Sequence, residues 1–254
     1  MWIDCNVHVE AWHDVQRINW IERARDARIE GVMWSGTHPA QWSAPNPEGF
    51  ARAFGLHPLW VHPDTLADDL AQLFTRLSDT SSAVGEVGLD RRAEAPLELQ
   101  LQALAPQLQF ATTQTRALIL HVVRAHEPLL SMLKELGVTR FMVHGFNGSP
   151  ELARRYVDCG GLLGIGGLLT RHTPRLHEVI RQLPLSAFVL ESDAPDLPPK
   201  GAAVSDPTDL PNTGLIVAQL KGCTVLEVAQ QTRENALTLF GLPIVQSSSR
   251  PRAQ

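Results

Sequence analysis

Residues 117–144 read ALILHVVRAHEPLLSMLKELGVTRFMVH. The run from Ala117 to Val122 is apolar except at His121, and the run from Arg140 to His144 is apolar between two polar ends. The stretch between them is long enough for a helix. Two short apolar runs joined in this way form the unit of a parallel sheet, because a parallel crossover needs a dozen residues or more and its strands are buried on both faces. Working outward, the same alternation continues in both directions. Further candidate strands are Trp2 to Val7, Gly31 to Ser35, Ala51 to Leu56, Ala83 to Val87, Leu162 to Ile165 and Ala187 to Glu191, which brings the number to about eight. That is the number a TIM-like (β/α)8 barrel requires, and this α/β barrel is the expected fold. It is expected to be a single domain over residues 1–242, with a flexible tail over 243–254 that contains three serines, two arginines and two prolines.

The intervening helices carry start and stop signals. Leu66, Leu70, Leu73, Phe74 and Leu77 fall on one helical face. Ser149 and Thr173 each stand before a proline as candidate caps, Thr224 and Glu227 are spaced as a capping box, and Gly241 is placed to end the last helix. Pro106 lies inside the helical pattern from Leu97 to Thr115, where it is expected to kink or split the helix.

The chain has 254 residues, 44% of them hydrophobic and 19% charged, which suits a folded domain with a sizeable core and excludes a disordered chain. A net charge of −5 argues against a protein that coats nucleic acid with a broad basic surface. It leaves room for a local cationic pocket. Three cysteines at wide spacings, with no CxxC, suit a reducing compartment. With no basic and apolar leader and no apolar run of ~18 residues, a cytoplasmic protein without a membrane span is expected.

In a barrel of this type, function gathers at the C-terminal ends of the strands. Five residues able to hold a metal stand there: His8, Glu86, His121, His144 and Asp193. Any one of them alone is more simply a satisfied structural histidine, a helix cap or an ion-pair partner. Five on separate strands are hard to explain that way. Imidazole and carboxylate together suit Zn²⁺, Mn²⁺ or Fe²⁺, and a larger carboxylate or water share admits Mg²⁺. His57 is a candidate hydrogen-bond donor to a ligand, or else a turn histidine before Pro58. Trp12, Trp34, Trp42 and Trp60 are expected to be loop anchors rather than a ligand wall, and Cys5 a small core residue. His13, His38, His62, His126, His172 and His177 are assigned no role as ligands.

Around these residues the sequence resembles the TatD family of metal-dependent deoxyribonucleases, within the amidohydrolase-like superfamily. Asp4-Cys5-Asn6-Val7-His8 stands where the family has D-x-H-x-H, and Gly85-Glu86-Val87-Gly88-Leu89-Asp90 matches its G-E-[IV]-G-L-D. Gly55-Leu56-His57-Pro58, His144-Gly145-Phe146-Asn147-Gly148, Glu191-Ser192-Asp193-Ala194-Pro195 and Asn235 with Phe240 resemble further family segments in the same order. The resemblance implies that Glu86 bridges two divalent ions, one also held by His8 and Asp193 and the other by His121 and His144. It further implies that Asp193 is the general base on a metal-activated water. The implied activity is hydrolysis of DNA phosphodiester bonds, from ends or on single strands, by a monomer carrying one or two ions of Mg²⁺, Mn²⁺ or Zn²⁺.

The chain departs from the family at several positions. Asn6 replaces the first histidine, so the ion beside His8 and Asp193 is expected to be weakly held or absent. Val123 stands where the family places an arginine, with Arg124 one residue later, Leu59 replaces a second histidine after Gly-Leu-His-Pro, and Asp196 replaces a tyrosine. Arg91, with Arg92 beside it, is a candidate cationic contact, or else part of a solvated loop. His57, Arg91, Arg124 and Asn147 are the expected substrate contacts. Two alternatives stay open: an amidohydrolase-like enzyme acting on a small ester, lactone or amide, and a catalytically weakened TatD-like binding or assembly subunit.

Overall fold

The computed structural model describes residues 1–8, 23–24, 26–44, 50–80, 82–171 and 173–241. The expectations for Trp12, His13, His172 and the tail over 243–254 lie outside these residues. Eight parallel strands, β1 (Trp2–Val7), β2 (Ile29–Gly36), β3 (Phe50–Phe54), β4 (Ala83–Asp90), β5 (Leu118–Val123), β6 (Phe141–Val143), β7 (Leu162–Ile165) and β8 (Phe188–Leu190), pair in sequence order. The seam between first and last is tied by a parallel bridge between Val7 and Ala194, with Asp193 N–H donating to Asn6 O at 3.0 Å and His8 N–H to Ala194 O at 2.8 Å. Below it, the buried Asp4 carboxylate accepts from Ser192 N–H at 2.9 Å and from Ser192 Oγ at 2.6 Å. This TIM-like barrel agrees with the eight apolar runs.

Helices α1 (Pro39–Trp42), α2 (Leu66–Ser78), α3 (Leu97–Thr113), α4 (His126–Glu135), α5 (Pro150–Asp158), α6 (Pro174–Gln182), α7 (Leu210–Lys221) and α8 (Val225–Phe240) follow the strands. Leu73 and Leu77 of α2 are buried, and Leu66, Leu70 and Phe74 pack beside them. Ser149 caps α5 by accepting from Leu152 N–H, and the Thr224–Glu227 box forms with both of its bonds. Gly241, at φ 62°, ends α8 in the left-handed conformation that glycine adopts without a Cβ clash.

One local expectation fails, and one half of another. Thr173 makes no cap bond; its hydroxyl is turned toward the carbonyl oxygens of Leu168 and Arg171, 3.3 Å from each. Pro106 does not split α3, which runs unbroken over 17 residues. The carbonyl deprived of a partner belongs to Gln102, which is exposed and open to water.

Inside the barrel, Ile3, Cys5, Met33, Ala53, Ile119, Met142 and Val189 form a separate apolar cluster, closed from below by Ala236 and Leu239 of α8. Asn235 fixes α8 to this end by donating to Leu185 O at 2.9 Å and Phe188 O at 2.7 Å. The polar residues are left to the opposite end, where the strands terminate.

Candidate metal centre

Period-two alternation cannot place Cys5 in the inner apolar cluster and also turn its neighbour Asn6 toward the same interior. The register of β1 against β2 shifts between Asp4 and Val7, and that of β4 against β5 shifts between Val84 and Val87. Such irregularities re-aim side chains. Here they bring Asn6 and Glu86 to the centre of the barrel mouth, where Asn6 Nδ2 donates to Glu86 Oε1 at 2.6 Å. Close approach of β4 and β5 depends on Gly88, where a Cβ would lie 1.8 Å from His121 O.

All five metal-capable residues expected from the sequence meet in one cavity of 1210 Å³, together with His57, Arg124 and Asn147. Glu86 is the hub. Its Oε1 lies 2.9 Å from His8 Nε2, and its Oε2 lies 3.3 Å from His144 Nε2, 3.6 Å from His57 Nε2 and 3.8 Å from His121 Nδ1. His8 Nε2 is also 3.4 Å from Asp193 Oδ1. Asp193 sits at φ 57°, a left-handed conformation uncommon for a side-chain-bearing residue, and its backbone bond to Asn6 helps hold it there.

Arg91 does not line this cavity. Its Nε donates to Arg124 O at 2.9 Å, and it borders a neighbouring groove with His126 and Glu127. Arg92 lines the cavity instead, while pairing with Asp90. Trp42 is buried as an anchor should be, but Trp34 is a buried residue of strand β2 rather than of a loop, and Trp60 and Leu59 stand 53% and 54% exposed on the cavity rim.

Three contributors had no sequence-level role. Asp90 is buried and orients His121: its Oδ2 lies 3.1 Å from His121 Nε2, and its carboxylate also takes two bonds from the Arg92 guanidinium. Ser35 donates to Asn6 Oδ1 at 2.6 Å. Glu191 lies buried beneath His144, with Oε1 accepting from Gly145 N–H and no partner for Oε2 among the described residues. A clue to Asp90 existed in its place at the end of the strand that carries Glu86. The other two depend on strands remote in sequence.

The electrostatics follow from burial and crowding. Burial opposes charge on Glu86, yet His144 and His8 outweigh it and hold the carboxyl well below its usual range. His8 is held well above the ordinary imidazole value, because Glu86 and Asp193 overcome its burial. His57 is pushed well below that value by burial and by His121. Burial, reinforced by Asp193, raises Asp196 at the cavity wall.

Ligand atoms of His57, Glu86 and His121, and those of His8, Glu86 and Asp193, each lie within 4.8 Å of one another. On the first side, His57 Nδ1 accepts from Leu59 N–H at 3.2 Å, so its Nε2 carries the proton and donates rather than ligates. His144 completes that side, with Nε2 at 2.9 Å from His121 Nδ1. A tetrahedral ion with bonds of ~2.0–2.1 Å spaces its ligands about 3.4 Å apart. The His121, His144 and Glu86 separations of 2.9, 3.3 and 3.8 Å bracket that spacing. With His121 Nε2 held by Asp90, its Nδ1 lone pair faces the cavity. This side fits a divalent ion.

The other side does not fit in the same way. Asn6 Nδ2 lies between Glu86 Oε1 at 2.6 Å and Asp193 Oδ1 at 2.7 Å, with its oxygen turned away toward Ser35.

A parallel eight-stranded barrel whose strand ends gather histidines and carboxylates in one cavity is an architecture suited to a metal-dependent hydrolase. Within that class, the chain belongs to the family described as TatD related DNase, whose model matches residues 3–241. It is 33% identical over 235 residues to the uncharacterized metal-dependent hydrolase YjjV of Escherichia coli (strain K12), covering 88% of this chain and 91% of that protein. The crystal structure of that TatD homolog superposes with a TM-score of 0.87 at 32% identity, covering 95% of this chain and 98% of the other. The 3'-5' ssDNA/RNA exonuclease TatD of Erwinia tasmaniensis is 31% identical over 242 residues, with 87% and 92% covered. The deoxyribonuclease TATDN3 of Homo sapiens is 29% identical over 258 residues, with 94% of each chain covered. Among the described residues, no helix is long and apolar enough to cross a membrane.

Proposed function

We propose that the chain hydrolyses phosphodiester bonds of DNA at accessible ends or single strands, using a divalent ion of Zn²⁺, Mn²⁺ or Mg²⁺ held by Glu86, His121 and His144. The observation that carries this reading is the convergence of those three ligand atoms beside Asp193 at the floor of a deep cavity. The names of the human and Erwinia relatives support the choice of substrate. When bound, such an ion supplies Lewis acidity, which lowers the pKa of a water and neutralises charge on a phosphoryl oxygen.

The chain's own groups do the rest. Asp193 Oδ1 is engaged by Asn6, which leaves Oδ2 to take the proton of the attacking water. His57 Nε2–H points toward the reacting centre, 3.6 Å from Glu86 Oε2. Arg92 and Arg124 supply positive charge at the cavity wall, and Asn147 offers amide hydrogen bonds. Trp60 and Leu59 form an apolar lip on which a base can stack. The cavity of 1210 Å³ exceeds the ~300–1,000 Å³ of ordinary small-molecule pockets, as a polynucleotide end requires.

One observation favours a second reading. Asp196 lines the cavity and its carboxylate repels phosphate, which suits a small neutral ester, lactone or amide. Single-stranded DNA, duplex DNA and RNA assayed with each metal, beside a panel of such esters, separate the two. Metal-stimulated nucleotide release that Glu86→Gln abolishes is the expected result. No release from any nucleic acid by folded, metal-loaded protein overturns the nuclease reading, and turnover of a panel compound then establishes the other.

A further inference from the structure

We infer that this centre binds a single divalent ion and that the side-chain amide of Asn6 takes the place of a second. The inference rests on the metal centre proposed above, but it concerns the half of the cluster formed by His8, Asp193 and Glu86 Oε1.

The amide is oriented from both ends. Ser35 Oγ donates to Asn6 Oδ1 at 2.6 Å, while the two hydrogens of Nδ2 go to Glu86 Oε1 at 2.6 Å and Asp193 Oδ1 at 2.7 Å. Reversing the amide exchanges two hydrogen bonds to carboxylates for two oxygen–oxygen contacts at the same distances. Such bonds are about twice as strong as neutral ones, so the orientation is fixed. Asn6 and Ser35 are completely buried, and no solvent relieves a reversed amide.

An amide nitrogen in this state has donors and no lone pair to give. An ion bound to Glu86 Oε1, Asp193 Oδ1 and His8 Nε2 needs those atoms within ~2.0–2.2 Å. The donor hydrogens of Asn6 already point at two of the three. The amide also performs the mechanical task of an ion on that side, clipping the carboxylates of β4 and of the segment after β8 to a common point on β1. Glu86 is thereby divided, with Oε1 held by Asn6 and His8 and Oε2 left to the His121–His144 side. Asp193 is held to one rotamer, with Oδ1 fixed, without an ion on it.

Metal content decides the matter independently of activity. The protein is stripped with a chelator, titrated with Mn²⁺ or Zn²⁺ by calorimetry, and its loaded form is measured by elemental analysis and anomalous diffraction. The expected result is one ion per chain, lying between Glu86, His121 and His144. Asn6→His, which supplies a lone pair, and Asn6→Asp, nearly isosteric and without the donors, are expected to take up two. Two variants of different size guard against one failing to fold. Two ions in the wild-type chain, or a single ion on the His8–Asp193 side, overturns the inference. So does a count that stays at one in both folded variants. A wild-type chain that binds no ion at all also overturns the metal centre on which the inference rests, and that outcome is distinct from the others.

Discussion

Removing the Asp90 carboxylate tests whether His121 is a positioned ligand. Asp90 is fully buried and contacts His121 Nε2 at 3.1 Å, so its carboxylate holds the imidazole out of solvent. The end of β4 does not depend on that side chain, because Gln100 binds both Asp90 N–H, at 2.8 Å, and Asp90 O, at 2.9 Å. Asp90→Ala therefore keeps the strand in place while freeing the imidazole to rotate or change tautomer. Loss of a partner of this kind costs roughly 10–100-fold in metal affinity, or about 1.4–2.7 kcal/mol, and complete burial places Asp90 toward the upper end. Asp90→Asn is expected to fall between the alanine variant and wild type. Its single amide oxygen must serve both His121 and the Arg92 N–H that the native Oδ1 accepts at 2.8 Å. The assay is chelator competition on stripped protein at fixed pH, with circular dichroism to show that each variant is folded. Activity at limiting metal is expected to fall in proportion and to return at saturating metal. Affinity of the alanine variant within about twofold of wild type refutes the positioning role. So does a loss of activity that saturating metal leaves unchanged.

Three further outcomes are expected. Gly88→Ala places a methyl 1.8 Å from the His121 carbonyl oxygen, so its cost is expected to exceed the ~1–3 kcal/mol of ordinary overpacking; a thermal melt close to wild type contradicts the close β4–β5 approach. Trp60→Ala is expected to raise KM on single-stranded DNA by roughly 5- to 150-fold with kcat little changed, the equivalent of one stacked base, and an unchanged KM removes Trp60 from the substrate path. In chelated protein, burial raises Glu191 to about 8, above its unfolded value. The folded state then keeps the proton that the unfolded chain releases, so this contribution is complete at acid pH and is lost as pH rises from the unfolded carboxyl value through about 8. Glu191→Gln, which retains the Oε1 acceptor for Gly145 N–H, is expected to flatten that fall in denaturant titrations, and an unchanged slope shows that Glu191 is ionised in the fold.

The barrel was legible because parallel strands buried on both faces have to be apolar throughout, and β1 and β7 fall on the residues the hydrophobic runs mark. The five metal-capable residues were legible for a topological reason, since the C-terminal ends of all eight strands meet at one rim. What a one-dimensional pattern cannot carry is the direction of a side chain once a strand departs from period two. The register shifts in β1 and β4 let Cys5 and Asn6 both serve the interior and turn Glu86 to the axis. The same limit applies to Arg91 and Arg92, adjacent in sequence but separated by the turn after β4, so that one borders an outer groove and the other the cavity.

It applies most sharply to Asn6. Seen as a residue type, it is a weaker ligand than a histidine, and the natural expectation is a loosely held ion. Ser35, 29 residues away on β2, turns the oxygen of that amide outward and converts a poor ligand into a double donor. The position therefore presents donor hydrogens where a ligand would present a lone pair, and that orientation is set by a hydroxyl that no motif containing Asn6 includes.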